Sequence, residues 1–318
     1  MLQRLWRKFL YSRANRTLVS RSSRIVLPGF DGFSLLRISR FFFTALSEGH
    51  LITRASAIAF KLFLAFFPTI ILLLTLIPYI PVDQFQEKLM ASFQDMLPGE
   101  VYKFIEGLLH DLLVRKHSTL LSVSFLVGIY LASNSMDAIL NGFSSSYHVV
   151  DWHSAFKQRL ISMGLLFALT LMMAVAMAVL TLSNWAIKLV AAQGYVFGAL
   201  EHFGLFAVKW TVTLLLMLAS ISLLYNAGDP GARRFRLFTP GAILALVLTV
   251  LLSQGLAFFF SNITNYNALY GSLGAILAVQ LWLYFNMIVL LIGFELNTSI
   301  ARARRESSEH LKVKARSH

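Results

Sequence analysis

The stretch from Phe238 to Ser299 leaves this chain few ways to fold. It predicts one apolar helix over about Thr239 to Phe260, opened by Pro240-Gly241, and a second over about Ser272 to Asn297. The second carries a single charged residue, Glu295, and the loop between them carries none. Each run matches or exceeds the ~20 apolar residues that a helix needs to cross a hydrocarbon core of about 30 Å. A soluble core helix of that length keeps a polar face, and neither run has one. Four more apolar runs repeat the theme. The fold class this implies is all-α, a polytopic membrane bundle of six transmembrane helices.

Composition supports that class. Apolar residues make up 57% of the chain and charged residues 14%, against about 25% charged in soluble domains. With no cysteine, disulfides, thiolate metal sites and cysteine nucleophiles are excluded. A net charge of +13 would suggest nucleic acid in a soluble protein. On a membrane protein the distribution of Lys and Arg matters more than their sum.

Residues 1–33 read as a basic cytoplasmic arm near anionic lipid, without specific nucleic-acid binding; no apolar h-region follows, so it is not a secretory signal. From 34 to 46, Leu35, Leu36, Ile38, Phe42 and Leu46 share space with Arg37 and Arg40, which predicts a helix lying in the interface. The first span is expected at about Ala55 to Ile77, flanked by Arg54. Pro68 inside it removes one backbone hydrogen bond and predicts a kink or a hinge. The link 83–117 holds apolar residues at helical spacing on either side of Pro98-Gly99, which predicts amphipathic helices on the outer face. Further spans are expected at about Leu120–Leu140, Leu160–Leu182 and Leu205–Tyr225, with Asn184 to Gly204 against the outer interface. A membrane domain over 34–301 and a basic tail over 302–318 complete the plan.

Counting Lys and Arg on alternate links gives twenty-one on the side of the termini and five on the other, with Lys61 and Lys209 inside spans. That excess predicts both termini in the cytoplasm.

Ionisable groups within a bilayer cost about 2.5–3.5 kcal/mol each on insertion scales, so each needs a reason. Lys61 lies seven residues beyond Arg54 and Glu295 seven before Arg302, which puts both about 10 Å inside the cytoplasmic boundary. Asn134, Asp137 and Asn141 fall on one helical face by spacing. These residues, with Asn297, predict an inward-facing polar cluster. Lys61 either pairs with Glu295 or Asp137, or snorkels to the headgroups. The asparagines serve either as interhelical hydrogen bonds or as ligand contacts. Gly241 with Ala245, and Gly274 with Ala278, allow close approach of the last two helices. No cofactor or metal site is read from the sequence: His110 and His117, two turns apart, are expected on the surface of an outer helix, and no Walker-type Gly-Lys-Ser/Thr run occurs.

The run from Asn265 to Ala275, with Tyr266, Asn267, Tyr270, Gly271 and Ser272 at its centre, forms an outer-loop motif. It is followed by Leu281-Trp-Leu-Tyr and by Leu291-Ile-Gly-Phe-Glu-Leu-Asn297. Together these resemble the signature of the YihY/BrkB family of bacterial inner-membrane proteins. Arg54-Ala-Ser-Ala-Ile-Ala-Phe with Phe67-Pro68 resembles that family's first span, and Pro240-Gly-Ala242 its fifth. The resemblance implies a multi-pass inner-membrane location and carries two older labels, a transfer-RNA-processing ribonuclease and a serum-resistance virulence factor. The residues themselves favour a non-enzymatic protein that transports or handles a lipid or amphipathic envelope component. The alternatives are a non-transporting scaffold or envelope-assembly partner and a membrane-bound ribonuclease. Membrane lipids are the expected partners, and a homo-oligomer or an envelope protein stays open.

Overall fold

The computed structural model describes residues 29–79, 85–96, 106–107, 109–113, 115–146, 149, 152–192, 199–229, 235–262 and 272–316. Within them the chain forms helices and no strand. A short amphipathic helix, α1 (Leu35–Glu48), precedes the first span, α2 (Leu51–Leu76), which ends in a 3₁₀ turn at Ile77–Tyr79. The helix α3 (Phe85–Met96) belongs to the outer link, and the spans α4 (Ser118–Ser144), α5 (Ala155–Ala192), α6 (Ala199–Ala227), α7 (Pro240–Asn262) and α8 (Ser272–Arg316) follow. Six of these helices are long and apolar enough to cross a membrane: α2, α4, α5, α6, α7 and α8.

The spans form a closed ring. α2 packs on α4, α4 on α5, α5 on α6, α6 on α7, α7 on α8, and α8 returns to α2. Both the segment before α2 and the end of α8 lie at one end of this ring, called here the basic end. Packing is concentrated there. The main core joins Leu51, Ala55 and Ile58 of α2 to the Ala138–Leu140 turn and Phe143 of α4, and to α6, α7 and α8 through Tyr225, Ala242 and Phe294.

The opposite half is loosely packed. From Ser118 to Ala132 of α4 only Ser124 and Gly128 are buried, and from Leu166 to Leu182 of α5 no residue is. A small separate core caps this side, where Leu109 and Leu113, from the link between the first two spans, meet Leu89 and Met90 of α3 and Leu74 and Ile77 from the end of the first span. Pro68 sits within an unbroken α2, and its ring faces Gly128 of α4, where an added Cβ would only just touch it, at 4.0 Å.

Several boundaries differ from those read off the sequence. α2 begins at Leu51, two residues after α1 ends its turn at Gly49, with His50 in the left-handed region between them. Arg54 therefore lies one turn inside the helix and does not flank it. α5 and α6 continue to Ala192 and resume at Ala199, so most of the stretch from Asn184 to Gly204 extends the two spans and does not lie along the interface. α8 does not stop near Asn297. Its 45 residues span about 67 Å, twice the hydrocarbon thickness, and the last third projects from the basic end. α1 packs on that projection: Phe30, Ile38 and Ile300 are buried together against Phe33, Leu35 and Leu296. Arg37 reaches Glu306 at 3.5 Å, and Arg304 pairs with Asp31. The amphipathic stripe of α1 thus has a protein partner along α8. Of the outer-loop motif, Tyr266, Asn267, Tyr270 and Gly271 lie outside the described residues, as does the arm 1–28, and Ser272 opens α8.

Candidate functional site

At the basic end the ring is closed by one buried ion pair and a stack of aromatic rings. Glu295 projects from α8 with no exposed surface. One carboxylate oxygen accepts a hydrogen bond from Arg54 Nη2 at 2.5 Å, and the other accepts from Ser146 Oγ at 2.7 Å. Thr298 Oγ1 lies 3.4 Å from that second oxygen. Arg54 donates a further bond from Nη1 to the Gly142 carbonyl at 2.8 Å. Taking two charges out of water costs several kcal/mol each unless the geometry and the extra hydrogen bonds compensate. Here the carboxylate is met by hydroxyls or guanidinium from α2, from the bend after α4 and from α8 itself, and the guanidinium has two acceptors; Arg54 Nε alone of the pair is left without a partner.

Glycine makes that geometry accessible. At Gly142 a Cβ would lie 2.6 Å from Ile58 Cδ1, so a side chain there would have to displace the end of Ile58 at the point where the α4 carbonyl meets Arg54. Directly beside the pair, Phe143 and Phe294 stack with ring centroids 4.1 Å apart, and Tyr225 meets both at 5.8 Å. The Tyr225 hydroxyl donates to the Leu290 carbonyl at 2.6 Å. The stack is buried and holds α4, α6 and α8 together.

Five of the six polar residues expected in one cluster separate into three places, and Lys61 stands apart from all of them. Glu295 joins Arg54. Asp137 and Asn141 join Gln158 of α5: Gln158 Nε2 donates to Asp137 Oδ1 at 2.7 Å and to Asn141 Oδ1 at 2.9 Å, while Asn141 Nδ2 donates to Asp137 Oδ2 at 2.9 Å. Trp152 Nε1 closes this group with a 2.5 Å bond to Gln158 Oε1. Asn134 accepts from Arg159 at 3.1 Å, and Arg159 also lies over the Tyr130 ring. Asn297 belongs to a third contact. Its Oδ1 accepts from the Gly241 N–H at 2.8 Å and its Nδ2 donates to Thr239 Oγ1 at 3.0 Å. Thr239 also caps α7 by accepting from the Ala242 N–H at 3.2 Å, with Pro240 at the first helical position, where its missing N–H costs nothing.

Lys61 does not take part. Its side chain is exposed and has no ion pair or hydrogen bond among the described residues; only its backbone carbonyl is engaged, by Ser135 Oγ at 2.9 Å. The cation for Glu295 is Arg54. The close approach of the last two helices occurs, but through Gly241 and Gly293: a Cβ on Gly241 would lie 2.0 Å from the Gly293 carbonyl oxygen. Ala245 is buried at the same contact, as expected.

Away from this floor the ring walls are open. Phe125, Leu126, Val127, Ile129 and Tyr130 of α4 are all exposed. At 100° per residue they sweep about 200° of the helix circumference. The buried stripe of that half, Ser124 and Gly128, faces α2. The polar and ring contacts between α4 and α5 lie between Tyr130 and Asn141 on α4, next to the basic end. Beyond them Leu126 on α4 and Phe167 on α5 are 67% and 82% exposed, so neither side chain lies between the two helices. Among the described residues no group of three or more His, Asp or Glu side chains converges.

These features define a six-span helical membrane protein whose ring is sealed at one end by a buried Arg–Glu pair and loosely packed at the other. The pattern of the family described as Virulence factor BrkB matches residues 42–318, and the chain belongs to that family, as a multi-pass protein of the bacterial inner membrane. It is 27% identical over 267 residues to the Bacillus subtilis protein YfkH, named as ribonuclease-like, covering 83% of this chain and 94% of that one. It is 23% identical over 277 residues to a Xanthomonas campestris protein described as a UPF0761 membrane protein, covering 83% of this chain and 61% of the relative. The chain thus spans nearly all of the first relative and about three fifths of the second. No solved structure matches it.

Proposed function

We propose that this protein handles or transports a lipid or other amphipathic envelope component, without enzymatic chemistry, with its basic end in the cytoplasm. One observation carries the reading: the apolar faces that α4 and α5 leave uncovered beyond Tyr130, above a floor of Arg54, Glu295, Phe143, Phe294 and Tyr225. A lipid chain could enter along such faces from the bilayer at little cost, because they are as apolar as the hydrocarbon outside. The floor would stop passage toward the basic end until the ion pair separates. The excess of Lys and Arg at that end supports its cytoplasmic side. Among the described residues no converging set of acids or histidines answers to the ribonuclease-like name of the Bacillus relative, and two-metal cleavage requires one.

The test is movement of lipid. Full-length protein is reconstituted into vesicles holding a headgroup-labelled phospholipid, and dithionite is added to bleach the outer leaflet. Bleaching that continues past the outer-leaflet pool, with tight vesicles shown by a trapped dye, supports the proposal. Bleaching that stops at the outer pool in both protein-containing and empty vesicles sinks it and favours a scaffold.

A further inference from the structure

Below the sealed floor, on the basic end, lies a half-open cleft of about 800 Å³. It is lined by Tyr225 and Phe294, which also belong to the floor, and by Arg236, Arg302, Arg304 and Arg305. We infer that this cleft is a binding site for a phosphate-bearing anion, either a phospholipid headgroup or a soluble phosphate compound. A volume of this order suits a headgroup or small metabolite.

The charge in the cleft is not cancelled from within. Asp31 and Asp229 are the carboxylates that line it, and Asp31 is taken by Arg304. Arg302 is held by Glu306 at 3.1 Å. Arg305, half-buried, and Arg236 have no side-chain partner among the described residues. Arg236 is nonetheless fixed in place, because Asn226 bonds both its N–H, at 3.1 Å, and its carbonyl, at 3.0 Å. An anchored backbone with a free guanidinium is the arrangement that favours a planar, bidentate oxyanion partner. The N-terminus of α7 contributes nothing here, since its first N–H groups are taken by Asn297 and Thr239. The orientation rule accounts for arginines at this end of the protein; it does not account for four of them meeting in one recess.

This site goes beyond the lipid-handling reading and stands whether or not the ring moves cargo, so it is tested at equilibrium. Detergent-solubilised full-length protein is titrated with phosphatidylglycerol, with phosphatidylcholine and, separately, with inorganic pyrophosphate. Lipid retention is read by native mass spectrometry and pyrophosphate binding by calorimetry. The double variant Arg236→Gln/Arg305→Gln is compared with a charge-matched control, Arg40→Gln/Lys157→Gln, whose exposed residues lie outside the cleft. Either single cleft variant serves if the double does not purify as one species.

The expected result is a loss of about 10-fold or more in the cleft variant, with the control unchanged. Loss confined to phosphatidylglycerol identifies a headgroup site, and loss confined to pyrophosphate a soluble-phosphate site. Absence of binding by either probe, or equal loss in cleft and control variants, overturns the inference.

Discussion

Replacing Glu295 by Gln should reveal how strongly the ring depends on its buried pair. The carboxylate is fully enclosed and accepts from Arg54 and Ser146 at 2.5 and 2.7 Å. Glutamine keeps the shape but leaves the Arg54 guanidinium charged, 8% exposed and uncompensated. Breaking one partner of such a pair costs roughly 3–5 kcal/mol, whereas replacing both by well-packed apolar residues is often neutral. The chain Arg54→Met/Glu295→Met should therefore recover most of what either single change loses. With Arg54→Met and Glu295→Met each losing roughly 3–5 kcal/mol and the double variant near wild type, the double-mutant cycle gives a coupling energy of about 5 kcal/mol or more, above the ~0.5–3 kcal/mol usual for residues in contact. Reversible unfolding in mixed micelles, monitored by far-UV circular dichroism, measures all four proteins. Single variants within about 0.5 kcal/mol of wild type and additive in combination would refute the reasoning, because the pair would then carry no coupling. The same cycle separates gate from staple. A neutral double variant that is stable yet altered in lipid movement has lost a gate, and one normal in both has lost only a structural tie.

Lys61→Met should change stability by less than about 0.5 kcal/mol, as for exposed positions away from special features; a loss above 2 kcal/mol in the same unfolding assay would mean that its ammonium has a buried partner. Gly241→Leu should abolish monodisperse protein on size-exclusion chromatography, since even a Cβ would lie 2.0 Å from the Gly293 carbonyl oxygen, while Gly255→Ala, with nothing within 4 Å, should purify normally. Tyr225→Phe removes one buried hydrogen bond to the Leu290 carbonyl and should cost about 1 kcal/mol, detectable as a lowered unfolding midpoint. Gln158→Leu should cost about 1–3 kcal/mol by leaving Asp137 without its donor from α5, and Asp137→Leu introduced with it should return part of that loss.

The spans were legible because lipid imposes length and apolarity on every crossing helix, and no tertiary detail alters that demand. The partner of Glu295 was not, for a physical reason that Arg54 illustrates. Depth counted from flanking charges assumes that those charges mark a flat interface. Here α8 runs on to Arg316 and α1 packs beside it, so the basic end is protein for a further turn or more and Arg54 lies inside it. The sequence did hold a signal. Arg54 is followed by Ala55 and Ala59 at close-packing spacing, and Glu295 by Thr298 and Ser299, so both charges sit next to small residues that allow helices to meet. The spacing of Asp137 and Asn141 puts them on one face, yet their partner, Gln158, is neutral and carries no charge to single it out in the sequence. The amphipathic stripe of α1 could not by itself distinguish lipid from the extension of α8 as its cover.

The most direct test of an open outer half is nitroxide scanning of α4 in bilayers, which the absence of native cysteine makes simple. Single cysteines at 123 through 131 are labelled in turn, and collision with oxygen is measured by electron paramagnetic resonance. The structure predicts high, lipid-like accessibility at Phe125, Leu126, Val127, Ile129 and Tyr130, with minima only at Ser124 and Gly128. A second set of minima on the side toward α5, giving a helix packed between two neighbours along its full length, would contradict it.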